Sequence, residues 1–350
     1  MEKGCPKNMV NGPCGGVDPK GRCEVDGRPC PYIQLLEDKP EVLENPILGP
    51  GFIKRDISLD LKGYAGFMEK MLNNNIVFLL ELEPSRRGHG LRFLDQAKSF
   101  KGLVDGFSIT DNPLGRVQAD PVAAAGYLRA NGFTEDILVH LSCKDRNRAN
   151  LTSSALGGLW LGVRSYLALT GDWPGIMAGP HVKPVFDLDA VRLIYMLRLL
   201  RDHGLDYMGG KIKEVPGFNI AGATNPYSLW EIELRKLKAK RKAGMEFIVS
   251  QPLFNDEAIR KLKDIKDEPL LRNLPLIATV MLVRNKWDRS VVKNHFHLNL
   301  ERITDPLKEL ENTINMLLSL NYINGILIVF SGDWNYAEGI ANIIKQFREL

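Results

Sequence analysis

Residues 76–83 read Ile-Val-Phe-Leu-Leu-Glu-Leu-Glu, and this stretch begins a rhythm that continues to the carboxyl end of the chain. It is a short apolar run without glycine or proline, which is typical of a buried strand. Similar runs follow at 106–110, 138–143, 165–172, 219–223, 247–251, 276–281 and 325–330. Amphipathic patterns between them predict helices, among them 121–131, 187–203, 226–243, 256–266 and 306–320.

The regular alternation of strands and helices predicts the fold class. Such alternation indicates right-handed βαβ units and a parallel sheet. Eight units over roughly 270 residues suit a closed α/β barrel, the (β/α)8 TIM barrel, better than an open sheet. An open doubly wound sheet is the alternative, but no G-x-G-x-x-G follows the first strand.

The cysteines divide the chain into two parts. Four of the five lie within the first 30 residues, at Cys5, Cys14, Cys23 and Cys30, and the fifth is Cys143. The region around the four is rich in glycine and proline and has no helical or alternating period, so it needs a staple to fold. We therefore predict a small cysteine-rich metal-binding segment with its linker at 1–50 and the barrel at 51–350.

The spacing of these four cysteines is C-x8-C-x8-C-x6-C. A disulfide framework does not suit a cytoplasmic chain, whereas four thiolates suit a tetrahedral zinc ion or a [4Fe–4S] cluster. The C-x2-C pair usual for both is missing, and four scattered free thiols remain the alternative.

Bulk properties exclude several classes of partner. The net charge is +4, with 44% hydrophobic and 25% charged residues, as in an ordinary globular protein. No apolar stretch approaches the ~20 residues of a membrane span, the amino terminus lacks a signal-peptide core, and no nucleic-acid motif is present. We expect a cytoplasmic protein. The basic run from Arg235 to Lys242 is typical of a solvated helix face, and a phosphate site is the alternative.

Polar side chains stand at or near the carboxyl ends of most predicted strands. In a parallel barrel these ends meet at one mouth, where active sites form. One polar strand end is usually the start of a loop, but several converging on one mouth indicate a functional site. They are Glu81 with Glu83, Thr110 with Asp111 and Asn112, His140, Asp172, Asn225, Gln251 and Thr279.

Glu81 is the candidate general acid. It shares strand parity with Glu83, so both point to the same side of the barrel wall. An outward carboxylate would be costly beneath the covering helices. An inward Glu81 would have a pKa raised by desolvation, which suits an acid catalyst.

The other strand ends have structural alternatives. Asp172 follows Gly171 and is equally typical of a turn or an N-cap. His140 is equally typical of a hydrogen-bonded core histidine. The amide of Gln251 either binds a donor and an acceptor of a heterocycle or ties down a loop.

Five motifs taken together resemble the methylenetetrahydrofolate reductase family over residues 70–348. The motifs are LELEPS with Glu81, SITDN with Thr110, VHLSC with His140, ALTGD with Asp172, and KRKAGMEFIVSQPLFN with Gln251. Their common order and spacing carry the resemblance, because none of them is specific alone.

This resemblance implies a flavin, FAD or FMN, lying across the barrel mouth. It implies that Thr110 and His140 contact the flavin, that Asp172 lies near its pyrimidine side, and that Lys240 meets its phosphate. Glu81 would be the general acid and Gln251 would contact the pterin. The implied reaction interconverts methylene and methyl groups on a tetrahydropterin, by proton transfer from Glu81 and hydride transfer from flavin N5.

Departures from the family leave the carrier and the electron source open. They are Thr170, Ala223 with Thr224, Ala239 and the turn VFSGDW. Tetrahydrofolate and tetrahydromethanopterin are both candidate carriers. NAD(P)H and an electron-donor protein, ferredoxin-like or a flavoprotein, are both candidate donors.

The amino-terminal segment carries a second resemblance. CPKNMVNGPCGG followed by GRCEV is similar to a segment of the iron–sulfur partner subunits of anaerobic methylenetetrahydrofolate reductases. This favours an iron–sulfur cluster over zinc and an electron-donor protein, and we also expect a homo-oligomer. Two other functions are considered: a pterin methyltransferase barrel without flavin, and a non-catalytic iron–sulfur electron-transfer subunit.

Overall fold

Eight parallel strands close into a barrel in the computed structural model, which describes residues 4–33, 44–174, 179, 181–330 and 334–348. The strands are β1 Val77–Leu82, β2 Gly106–Ile109, β3 Asp136–Ser142, β4 Ser165–Leu169, β5 Asn219–Thr224, β6 Phe247–Pro252, β7 Leu276–Met281 and β8 Gly325–Val329. The helices are α1 Gly66–Leu72, α2 Leu91–Lys98, α3 Pro121–Ala130, α4 Arg148–Trp160, α5 Ala190–His203, α6 Trp230–Ala243, α7 Asp256–Asp267, α8 Lys286–Phe296, α9 Pro306–Leu318 and α10 Trp334–Arg348.

The pairing of the first strand with the last closes the ring. Leu80 of β1 lies opposite Phe107 of β2 on one side and opposite Ile328 of β8 on the other. Every neighbouring pair is parallel and joined in sequence order, as right-handed βαβ connections require. The predicted (β/α)8 TIM barrel is confirmed, and the open sheet is wrong.

Strand parity separates two layers of apolar packing. Leu80 and Leu82 belong to the large cluster between the strands and the surrounding helices. Leu79, Leu138 and Leu167 belong to a smaller cluster inside the barrel. Of the helices that the structure describes, none is both long and apolar enough to cross a membrane.

Helix α1 closes one end of the barrel. Its Phe67 packs edge-on against Phe247 of β6, with ring centroids 5.7 Å apart, and the Phe67 N–H donates to the Asp136 carboxylate at 2.7 Å. Met68 and Met71 join the same interior cluster. These residues floor the barrel at the amino ends of the strands, so its cavity opens at the carboxyl ends.

Several predicted boundaries differ from the structure by a few residues, and two of these differences have a clear local cause. The run 165–172 ends as a strand at Leu169, because Gly171 has a φ of +92° that strand geometry does not allow. The helix predicted at 187–203 begins at Ala190, since the Asp189 side chain caps it by accepting the Arg192 N–H.

The cysteine head, residues 4–33, folds irregularly and sits on the open mouth. The backbone N–H of Asn11 donates to the Asp189 carboxylate at 3.0 Å, and the Asn225 side-chain amide donates to the Gly15 carbonyl at 3.4 Å. The division of the chain at residue 50 stays a prediction, and residues 34–43 of the predicted linker lie outside the described residues.

Candidate active site

A cavity of about 350 Å³ occupies the mouth between the barrel and the cysteine head. Its volume falls within the usual range of small-molecule and cofactor sites. The structure brings to its wall the six barrel residues to which the family resemblance assigns a role, namely Glu81, Thr110, His140, Asp172, Lys240 and Gln251.

Glu81 points into the barrel because it has the parity of Leu79, whose side chain packs in the interior cluster. Burial, and to a smaller degree the neighbouring Glu83 carboxylate, raise the pKa of the Glu81 carboxyl to about 8. Glu83 itself accepts a hydrogen bond from the Gln118 amide at 3.2 Å. At neutral pH Glu81 is therefore mostly protonated and able to donate a proton.

His140 and Thr110 provide uncharged polar groups. The His140 ring nitrogen Nε2 lies 2.8 Å from the Ser108 hydroxyl on the adjacent strand, and burial lowers the pKa of His140 to about 4. Thr110 is buried and donates from its hydroxyl to the Gln118 side-chain oxygen at 3.3 Å. The neutral imidazole and the hydroxyl can bind a polar ligand without adding charge.

Asp172 is held at the mouth by the loop that follows β4. Its Oδ2 accepts the backbone N–H of Leu114 at 2.8 Å. Gly171 precedes it with positive φ, and a side chain there would collide with the Ser142 hydroxyl. A glycine is therefore required for the chain to place this carboxylate.

A β-bulge in β6 positions Gln251. The register between β6 and β7 shifts between Val249 and Pro252. Around this shift the Thr279 N–H donates to the Ser250 hydroxyl at 2.9 Å, and the Thr279 hydroxyl donates to the Ser250 carbonyl at 2.6 Å. Bulges re-aim the neighbouring side chain, and here that side chain is the amide on the cavity wall.

Lys240 reaches the cavity from α6. It is buried, and its ammonium donates to the Ala223 carbonyl at 2.5 Å. Burial lowers its pKa to about 8, opposed by Glu233 and assisted by Lys236. Lys236, Lys240 and Arg241 are each less than 9% exposed, so the solvated-face interpretation of the basic run is wrong for these three.

Two buried polar atoms on residues of the cavity wall, Thr224 Oγ1 and Asp111 Oδ1, have no hydrogen-bond partner in the part of the chain that the structure describes. Such atoms are rare unless a ligand or water satisfies them. Together with the buried Lys240 ammonium, they fit a ligand that carries both hydrogen-bonding groups and an anion. A flavin nucleotide is a ligand of this kind.

The wall also contains charged residues that the sequence analysis missed. Lys7 and Glu24 come from the cysteine head, and Lys144 follows β3. The pKa of Lys7 is raised although burial lowers it, because Cys14, Glu24 and Asp172 stabilise its charge. No local pattern marks Lys7, since it bonds with a residue 164 positions away.

The four predicted metal ligands are free thiols within the cysteine head. Cys5, Cys14 and Cys30 share one small apolar cluster, and burial raises the pKa of Cys30 to about 11, with the nearby Cys14 adding to the shift. Burial also raises the pKa of Cys23. Within the described ranges, no group of three or more His, Cys, Asp or Glu has the arrangement of a metal site. The ligand assignment stays a prediction.

Among known proteins, a curated relative and a solved structure are similar to this chain. A probable methylenetetrahydrofolate reductase (NADPH) from Caenorhabditis elegans is 26% identical over 221 residues, which are 58% of this chain but only 30% of that protein. A solved structure from Clostridium thermocellum, of an uncharacterized protein that binds two copies of 5-methyl-5,6,7,8-tetrahydrofolic acid, covers 80% of this chain and 98% of its own. It has a TM-score of 0.56 at 13% identity. This second likeness concerns the fold.

Two family models match the chain. The model described as methylenetetrahydrofolate reductase matches residues 67–312, and one described as methylene-tetrahydrofolate reductase C terminal matches residues 1–46. The first spans most of the barrel and confirms the resemblance carried by the five motifs. The chain belongs to the methylenetetrahydrofolate reductase family.

Proposed function

We propose that this chain is a flavin-dependent reductase that interconverts methylene and methyl groups on a tetrahydropterin, either tetrahydrofolate or tetrahydromethanopterin. The observation that carries the proposal is the meeting of Glu81, His140, Asp172 and Gln251 around one cavity in a barrel of this family. The folate ligand of the Clostridium thermocellum protein supports a pterin substrate.

The residues of the wall suit a flavin nucleotide, FAD or FMN. When bound, the reduced flavin supplies a hydride from N5. Thr110 and His140 would contact the flavin through neutral groups, Asp172 would lie at its pyrimidine side, and Lys240 would neutralise its phosphate. A phosphate beside Lys240 would also stabilise the ammonium, whose buried charge is otherwise costly.

Glu81 holds the proton that the reaction consumes. The methylene of the substrate bridges two nitrogens in a five-membered ring, and protonation of one nitrogen opens that ring to a cation. The Glu81 carboxylate left behind lowers the energy of this cation electrostatically. Gln251 orients the pterin by offering one donor and one acceptor.

The rate of methylene reduction should depend on pH through Glu81. The group acts as an acid, so kcat/KM is expected to be constant below about pH 8 and to fall about tenfold per unit above it. Glu83 contributes to this raised pKa, so in Glu83→Gln the fall should begin at lower pH. A profile without a basic limb, or one unchanged in Glu83→Gln, would contradict the assignment.

A visible spectrum with substrate tests the proposal. The purified chain is incubated with FMN or FAD, freed of excess flavin and examined for the oxidised-flavin absorbance at about 450 nm. The bound flavin is then reduced chemically and mixed with methylenetetrahydrofolate or methylenetetrahydromethanopterin. Reoxidation with formation of the methyl product is expected. A chain that retains neither flavin would favour the methyltransferase, and bound flavin that neither carrier reoxidises would also contradict the proposal.

We further propose that Cys5, Cys14, Cys23 and Cys30 hold a [4Fe–4S] cluster or a zinc ion. The support is their shared location in a head that lines the same cavity as the barrel residues. A cluster there would take electrons from a ferredoxin-like or flavoprotein donor, whereas a zinc ion would leave NAD(P)H as the donor.

Metal analysis distinguishes these cases. Iron with acid-labile sulfide, or zinc alone, is expected at stoichiometric amounts in the anaerobically purified chain. Cys14→Ala should lose the metal, because three cysteines do not complete a four-thiolate site. The matched control is Cys143→Ala, which removes a buried thiol of the barrel and should keep the metal. Full metal content in Cys14→Ala would exclude that residue as a ligand.

A further inference from the structure

The cysteine head is fixed to the barrel mouth by buried polar contacts. Asp189, which is fully buried, accepts the backbone N–H groups of Val10 at 3.3 Å and of Asn11 at 3.0 Å. The Asn11 side chain is also tied to Ile47, donating to its carbonyl at 2.8 Å and accepting its N–H at 2.7 Å. These bonds set the position of the residues just before them, including Lys7.

Lys7 extends from the head to the loop that follows β4. Its side chain is 2% exposed, and its Nζ donates to the Gly171 carbonyl at 2.9 Å. The ammonium also forms an ion pair with Glu24 and lies 5.2 Å from the centre of the Phe186 ring. Gly171 directly precedes Asp172, so Lys7 places a buried positive charge beside the candidate cofactor-binding carboxylate.

Both members of this ion pair line the barrel cavity. Lys7 and Glu24 share its wall with Glu81, His140 and Asp172. Most surface lysines keep the ammonium in water. The Lys7 ammonium is instead buried and contacts the Gly171 carbonyl, the Glu24 carboxylate and the Phe186 ring. Lys7 therefore belongs to the cavity wall and not to the exposed surface of the head.

We propose that Lys7 is a cofactor-site residue supplied by the cysteine head, and that its ammonium offsets the negative charge of Asp172 against the bound flavin. The inference rests on the proposed flavin site. It gives the head an electrostatic role in the barrel that does not depend on which metal, if any, the thiols bind.

The expected effect follows from the charge of the flavin. Reduction adds electron density to the pyrimidine half of the ring system, so a nearby cation favours the reduced form and a nearby carboxylate disfavours it. In a water-excluded cavity such charges act more strongly than at a surface. Lys7 should thus raise the reduction potential of the flavin, and Glu24 should lower it.

The test measures the two-electron potential of flavin bound to the full chain and to three variants. Lys7→Met should lower it by about 30 mV, which is a tenfold change in the ratio of reduced to oxidised flavin. Glu24→Gln, which removes the partner and keeps the cation, should raise it. Lys20→Met, at an exposed lysine of the same head, should leave it unchanged. Metal content is measured in parallel so that a change at the thiols is recognised.

The opposite signs make the result decisive. A drop in Lys7→Met with a rise in Glu24→Gln supports the inference, and if Lys7→Met does not retain flavin, the sign in Glu24→Gln decides. Unchanged potentials in both variants, or shifts of the same sign, overturn it. Failure of the wild-type chain to bind flavin is a different outcome, because it overturns the proposed function itself.

Discussion

Glu81→Gln is expected to lower the rate of methylene reduction by about 10²–10⁴-fold, the usual contribution of a positioned general acid. The amide has the shape of the protonated carboxyl but has no acidic proton to give. It also leaves no carboxylate to stabilise the cation formed on the substrate. The loss should therefore appear in the chemical step and not in flavin binding.

Rapid mixing isolates that step. Reduced flavin on the variant is mixed with the methylene carrier, and its reoxidation is followed at single turnover. Reduction of the oxidised flavin by the electron donor, measured separately, should keep the wild-type rate. Glu83→Gln is the matched control, since it changes a carboxyl of the same strand parity and cavity and should retain most of the single-turnover rate below about pH 7. A Glu81→Gln rate within a few-fold of wild type would remove Glu81 from the mechanism.

The barrel and the inward direction of Glu81 were predictable because they follow from local patterns. Strand side chains alternate between two faces, so Leu79 and Glu81 point the same way whatever surrounds them. Closure follows from eight repeated units, each of which must bury its strand beneath a helix. These inferences depend only on residues close together in the sequence, and the structure confirms the fold that they predict.

The burial of the basic residues between Arg235 and Lys242 was harder to predict from the sequence. Lys240 lies on a helix with a strongly basic sequence, and local charge suggested a solvated face. Its burial depends on Glu233 two turns away and on the Ala223 carbonyl of the preceding strand. Tertiary contacts of this kind override a helical charge pattern, because a paired and hydrogen-bonded lysine can be buried.

Contacts between the two parts of the chain were not predictable from spacing. Asn11 and Asp189 are 178 positions apart, and no sequence motif around either residue indicates a contact with the other. The bulge at Ser250 was equally unpredictable, because its residues do not indicate where the register between β6 and β7 shifts. Glu81, Thr110, His140, Asp172, Lys240 and Gln251 were therefore predictable as cavity residues, whereas Lys144 of the barrel and the head residues Lys7 and Glu24 became apparent only in the structure.

Asp189→Ala is expected to detach the cysteine head and to lower the free energy of unfolding by about 3–5 kcal/mol, the usual result of removing one partner of a buried ion pair. Asp189 caps α5 through the Arg192 N–H at 3.0 Å and pairs with the Arg192 guanidinium at 3.1 Å. Arg192 is itself buried, and its Nη2 already lacks a partner among the described residues. The variant would leave a buried charge and the backbone N–H groups of Val10 and Asn11 without acceptors.

Urea unfolding and limited proteolysis measure the two consequences separately. The free energy should fall, and the head should become the first site of cleavage while the barrel stays intact, because the bonds to Asp189 are lost. Asp187→Ala is the matched control: Asp187 lies in the same loop but pairs with Arg148 of the barrel at 2.6 Å, partly exposed, and its loss should cost about 1 kcal/mol or less. A head that stays protected in Asp189→Ala would mean that its other contacts hold it on the mouth. The cavity wall would then not depend on this one carboxylate.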